Sequence, residues 1–188
     1  MTALAVSLPA PLPAARDGAR TGAAPHHAPA RQGTQAAVLP GVASGSLVHT
    51  LAGEQRVEAL RAGAILTDSQ GRLHSLRQRI TLRPARAQLV RIAPGALDLR
   101  ARLDRDLLVG AAQEILFDDW RTRLLHGGAA PVPARRLCDD MLIAAETAMA
   151  PELHVLVTAR RVLLRVNGLH VLSCDPALAA RLKATRTA

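Results

Sequence analysis

From Gly41 onward the apolar positions fall in short runs separated by turn residues, with no long stretch at helical spacing. Ser46–Thr50 is the first run and closes at the turn Ala52-Gly53-Glu54. Val57–Leu60 leads through Arg61-Ala62-Gly63 into a second run, Ala64–Thr67, which stops at the turn Asp68–Gly71. Leu73, Leu76 and Ile80 punctuate an Arg-rich stretch that alternates in and out of a sheet. Gln88–Ile92 reads as a strand closed by Pro94-Gly95, and Asp106–Val109 and Glu114–Phe117 read as two more. Gly127, Gly128, Pro131 and Pro133 mark a loop. His154–Val157 and Arg161–Val166 read as the two strands of a hairpin. Asn167-Gly168 is a dipeptide suited to the positive φ angles of a tight turn, with Leu169–Leu172 continuing beyond it. One segment departs from this rhythm. Ala and Glu dominate Met141–Met149, which predicts a helix stopped by Pro151. Many short strands at close spacing predict an all-β fold.

The two ends differ from this middle. Residues 1–40 hold half of the twelve prolines, many alanines and only Arg16, Asp17, Arg20 and Arg31 as charged groups. Too few large apolar side chains are present there to offset the entropy of ordering, which predicts a disordered tail. The expected organisation is a tail at 1–40, a domain at 41–176 and a C-terminal tail of helical composition at 177–188. Met1–Ala15 is apolar, but it lacks the basic start of a signal peptide and is interrupted by Pro9, Pro11 and Pro13, so a cytoplasmic location is expected. No apolar run reaches the length of a transmembrane helix.

Composition narrows the chemistry. Hydrophobic residues make up 49% and charged residues 21%, a globular balance. Aromatic side chains are reduced to Phe117 and Trp120, which leaves no stacking platform for single-stranded nucleic acid and assigns the core to Leu, Val, Ile and Ala. Cys138 and Cys174 are too few for a disulfide scaffold or a four-thiolate zinc site. The net charge of +9 is carried almost entirely by arginine, Lys183 being the one lysine. Arg72–Arg105 alone contains nine arginines against Asp98 and Asp104. On one face of a sheet they would attract phosphate; spread over a surface they are an ordinary solvated exterior.

The turns and their flanks carry a resemblance. Gly45–Gly63 is similar to the opening of bacterial Hint domains (the hedgehog/intein module), which runs Cys-Phe-x-x-Gly-Thr-x-Ile-x-Thr, a Gly turn, then Val-Glu-x-Leu-x-x-Gly-Asp. Val90–Leu97 resembles the family's Val-Arg-Ile-x-x-Gly-Ala-Leu. Arg105–Val109 resembles the segment before its Ser-Pro-x-His motif, Val132–Leu137 its Val-Pro-Ala-Arg-x-Leu, and His154–Val157 its late His-Val-Glu-Leu strand. The matches keep the family's order between Gly41 and Pro176. The resemblance implies a compact, horseshoe-like all-β fold. It also implies a chemistry in which a first-position Cys or Ser attacks the preceding carbonyl while a later His polarises the scissile bond.

The sequence departs from the family where that chemistry resides. Aligned on Gly45 and Thr50, the nucleophile position is Gly41, and Val42 stands where Phe is usual. The Ser-Pro-x-His motif falls on Gly110-Ala-Ala-Gln113, so the histidine is replaced by Gln113, whose amide cannot exchange a proton near neutral pH. Ala64 replaces an Asp, and Arg160 takes the place of a second histidine. The reading is a degenerate Hint domain without self-cleavage, serving as a structural or binding module with a protein partner.

Two alternatives stand beside it: autoprocessing by a displaced serine, and an Arg-rich module for anionic polymers, although nucleic acid is not the expected partner. Ser44, Ser46 and His154 are the weak catalytic candidates. Ser46 falls on a family Thr that bonds backbone in a turn. Cys138 and Cys174 are expected to be packed thiols. His26-His27 and the isolated His49, His74, His126 and His170 form no metal motif, and Asp118-Asp119 and Asp139-Asp140 read as turn acids. No cofactor or metal is expected.

Overall fold

A computed structural model describes residues 35–96, 103, 105–118, 122–124 and 127–187. In chain order the strands are β1 (Val42–Ala43), β2 (Leu47–Thr50), β3 (Gly53–Arg56), β4 (Ile65–Thr67), β5 (Leu73–Ser75), β6 (Gln78–Leu82) and β7 (Arg86–Ile92). They continue as β8 (Leu107–Gly110), β9 (Glu114–Phe117), β10 (Ala130–Pro133), β11 (Ile143–Met149), β12 (Leu153–Val157), β13 (Leu163–Val166) and β14 (Leu169–Leu172), before helix α1 (Pro176–Thr187). Val57–Ala59 and Ala134–Arg136 are single 3-10 turns. Most of the predicted tail, including His26-His27, lies outside the described residues, as do Asp119, Trp120 and His126.

The strands form two antiparallel sheets. The first has the order β11-β7-β8-β1-β12-β6, and the second the order β10-β9-β14-β13-β2-β4-β5 with β3 also paired to β2. The first sheet is apolar on both faces. Val42, Val90, Ile92, Leu107 and Val109 join Val48, Leu66, Ile115, Leu164 and Val166 of the second sheet in one core. Ile80, Leu82, Leu89, Leu153 and Val155 point the other way into a smaller core covered by Leu178, Ala179 and Leu182 of α1. Burial on both faces explains why β12 is buried at every position and lacks the alternation of a half-exposed strand. Leu76, at 0% exposure, and the half-buried Phe117 belong to the larger core.

Several sequence expectations are corrected. Met141–Met149 is not a helix. Ile143–Met149 is strand β11, paired with β7 from Ile143 opposite Ile92 to Met149 opposite Arg86. The Asp139 carboxylate accepts N–H bonds from Met141, Leu142 and Ile143 and fixes where this strand begins, so pairing to β7 overrides the helical propensity of Ala and Glu. His154–Val157 and Arg161–Val166 do not form a hairpin. β12 lies between β1 and β6 in the first sheet, while β13 lies in the second and pairs with β14 across the Asn167-Gly168 turn. The change of sheet is held by Ser173, whose Oγ contacts Thr158 Oγ1 at 2.7 Å and accepts the Val162 N–H at 2.9 Å. Finally, Ala130–Pro133 is a strand within the expected loop, pairing with β9 alone, and its two prolines are tolerated because it is an edge.

Candidate functional site

Gly41 and Gln113, singled out by the family resemblance, lie side by side. The Gly41 N–H donates to Gln113 Oε1 at 2.9 Å, across a sequence separation of 72. Gln113 Nε2 donates in turn to the Leu172 carbonyl at 2.9 Å and the Glu114 carbonyl at 3.0 Å. The buried amide thus ties β1, β9 and β14 together with all its strong partners engaged. Gly41 has φ +120°, and a Cβ there would sit 3.1 Å from the His154 carbonyl oxygen. A side chain of any kind is strained at this position.

The residues just before Gly41 are pinned to the domain. Ala37 donates to the Arg86 carbonyl and accepts the Gln88 N–H, each at 2.9 Å. The Leu39 carbonyl accepts Ala112 N–H at 3.1 Å, and the Gly41 carbonyl accepts Gly110 N–H at 2.8 Å. This strap crosses so close to β8 that a Cβ on Gly110 would lie 2.1 Å from the Leu39 oxygen. Glycine at 110 is the condition for the strap to seat there.

Beside it the structure joins Ser44 and His154. The exposed Ser44 Oγ lies 2.9 Å from Nε2 of His154, which is 1% exposed. Arg79 and Thr81 on β6 approach the other ring nitrogen, Nδ1, at 3.3 Å each. A guanidinium can only donate, so Nδ1 is the acceptor and the ring proton sits on Nε2. The imidazole then gives a hydrogen bond to Ser44 and has no lone pair with which to take the serine's proton. Burial first, and the Arg79 charge second, hold His154 below the usual histidine range, in its neutral form. Ser46 is not part of this cluster: its Oγ donates to the Ala43 carbonyl at 2.7 Å, the turn role expected of it. Arg160, expected in the place of a second family histidine, is exposed and its carbonyl accepts the Thr158 hydroxyl.

A family model for the Hint domain matches residues 40–177. The chain belongs to the Hint domain family. Solved structures with a similar arrangement include the gp41-1 intein, at 9% identity, covering 71% of this chain and 98% of that one with a TM-score of 0.47. Others are a bacterial intein-like domain from Clostridium thermocellum (11%, 72% and 99%, 0.48) and a DnaB intein from Synechocystis sp. (9%, 72% and 99%, 0.48). A search of curated protein sequences finds no match.

The remaining nucleophiles of this Hint domain are quiet. Burial raises the Cys174 thiol to about 11, Asp175 adding to the effect and Arg161 opposing it. Burial, with Asp140 and Asp139 behind it, also raises Cys138. Neither presents a thiolate near neutral pH. Among the described residues no three His, Cys, Asp or Glu side chains gather as a metal site, and no helix is long and apolar enough to cross a membrane.

Sequence reasoning missed a polar knot around Asp68. Its carboxylate accepts the Gln70 and Arg72 backbone N–H groups, Arg72 Nε and His74 Nε2, all between 2.8 and 2.9 Å. The spacing Asp-x-Gln-x-Arg-x-His carried the signal, but only the turn brings the donors to one oxygen pair. Among the described residues the arginines of the dense stretch are not gathered in one patch. Arg77 and Arg79 belong to β6 and its approach, Arg86 and Arg91 to β7, and three strands, roughly 19 Å at ordinary strand spacing, separate β6 from β7. Arg72, Arg83 and Arg91 are each paired with acids: Asp68, Glu152, and Glu146 with Asp106.

Proposed function

We propose that this Hint domain does not cleave itself and acts as a structural or binding module, one that keeps the chain before Gly41 attached and fixed. The reading rests on one observation: the nucleophile position is a glycine at φ +120° whose N–H is bonded to Gln113. Self-cleavage begins when a thiol or hydroxyl at this position attacks the Pro40 carbonyl and the Pro40–Gly41 amide nitrogen leaves with a proton. Gly41 supplies no nucleophile, and the Gln113 amide supplies no proton. The backbone bonds of Ala37 and Leu39 hold the upstream segment as part of the sheet. Intact-mass measurement on the purified full chain, incubated for days, should give a single species of full-chain mass. A fragment starting between Gly41 and Ser46 would sink this reading.

The Ser44–His154 contact favours a second reading, in which Ser44 is a displaced nucleophile. It requires the imidazole proton on Nδ1, facing the Arg79 guanidinium 3.3 Å away, which disfavours that arrangement. Should wild type cleave, the Ser44→Ala/Ser46→Ala double variant decides. Continued cleavage in that variant rejects the displaced serine.

A further inference from the structure

With almost no aromatic side chains, the space between the sheets is filled by branched aliphatics, and it is not filled completely. A cavity of about 200 Å³ lies where the two cores meet, bounded by Val42 on β1, Leu156 on β12, Leu164 and Val166 on β13, Val171 on β14 and Leu178 on α1. The cavity is partly open to solvent, and since about 150 Å³ is enough to admit benzene, its volume suits one ring or a short alkyl chain. The polar side chains on its wall already hold partners of their own. Gln113 is bonded to Gly41, Glu114 and Leu172. The His154 ring is taken up by Ser44 on one side and by Arg79 and Thr81 on the other. The Ser173 hydroxyl serves Thr158 and Val162, the Cys174 thiol donates to the Asp175 carbonyl, and Arg161 is paired with Glu114. Among the described residues no buried side-chain nitrogen or oxygen lacks a partner.

From this we infer that the domain carries a binding site for a small uncharged apolar molecule, about one aromatic ring in size, between β1, β13, β14 and α1. A guest hydroxyl would exchange water for a wall that is mostly apolar and whose polar side chains already hold partners, which discriminates against polar analogues.

The test is a titration of the full chain with toluene, followed by methyl NMR and by thermal unfolding. Saturable shifts of the Val42, Leu164, Val166 and Val171 methyl signals and a rising Tm are expected. Phenol should bind at least fivefold more weakly. Val42→Phe, which places a ring in the cavity, should weaken toluene binding tenfold or more without lowering Tm. If that variant does not fold, Val171→Leu, which adds one methylene at the wall, should still weaken binding at least threefold. Absence of a saturable response up to the solubility of toluene would overturn the proposal. So would equal affinity for phenol, or undiminished toluene binding in the folded filled variant.

Discussion

Gly41, Gln113 and His154 concentrate the residue-scale consequences. A side chain at position 41 must take φ +120° and press on the His154 carbonyl. Gly41→Ser should therefore cost about 1–3 kcal/mol of stability and still leave the chain intact, since the partner at 113 cannot move a proton. Urea unfolding and mass spectrometry check the two halves. Gln113→Ala leaves the Gly41 N–H and two carbonyls without their partner, at about 1–3 kcal/mol for each buried group that water cannot reach. His154 is held neutral by burial and by Arg79, so its folded-state value lies below its unfolded one. The unfolded chain then binds more protons on acidification, and stability falls as pH drops from about 6.5 toward the lowered value. Arg79→Gln should raise the His154 titration midpoint, read from its ring signals by NMR, and lessen that loss. A midpoint unchanged in Arg79→Gln would contradict the part given to the Arg79 charge. Positions 41 and 113 are singled out in the sequence by the family resemblance, but their hydrogen bond across 72 residues is not. Nor is the Ser44–His154 pair, because 110 residues separate its members.

At the scale of elements, the strap and the hairpins depend on single side chains. Gly110→Ala drives a Cβ to 2.1 Å from the Leu39 oxygen, so the strap must lift. Hydrogen exchange should then accelerate at Gln88 and Ala112, whose N–H groups bond to Ala37 and Leu39, while β12 amides stay protected. The β13–β14 hairpin turns at Asn167 and Gly168, with φ 45° and 88°, as the Asn-Gly pair predicts. The structure adds that Asn167 Oδ1 accepts the Leu47 N–H at 2.7 Å, stitching the turn to β2. Asn167→Ala should cost about 1–3 kcal/mol, more than a surface turn residue would. Turns of this kind are local and were readable. The strand at Ile143–Met149 was not, since the bonds that settle it come from β7, more than fifty positions earlier in the chain.

Across the whole molecule, charge and acid sensitivity follow from placement. Burial works to raise the Asp68 carboxyl, but bonds from His74, Arg72 and Gln70 outweigh it and hold the carboxyl well below the usual range. A depressed folded value stabilises the protein above the ordinary carboxylate range and is lost as pH falls below about 4. Asp68→Asn should flatten that acid limb of the stability curve. Among the described residues the arginines of β6 and β7 lie toward opposite ends of the strand order of the first sheet, and several of the dense stretch are already paired. Binding to duplex DNA should accordingly be absent at low salt. A steep salt-dependent affinity, reduced when Arg77 and Arg79 become Gln, would restore the anionic-polymer reading.

Period, turn dipeptides and family spacing by themselves determined that this is an all-β Hint domain. Those signals are local or tied to chain order. Only the tertiary structure decided that Ile143–Met149 extends, that β12 and β13 part into different sheets, that Ser44 meets His154, and that aliphatic packing leaves a cavity behind Val42. Each of these depends on pairing or packing between residues far apart in the chain, where hydrogen bonds to a distant strand and the volume left by a distant side chain outweigh local propensity.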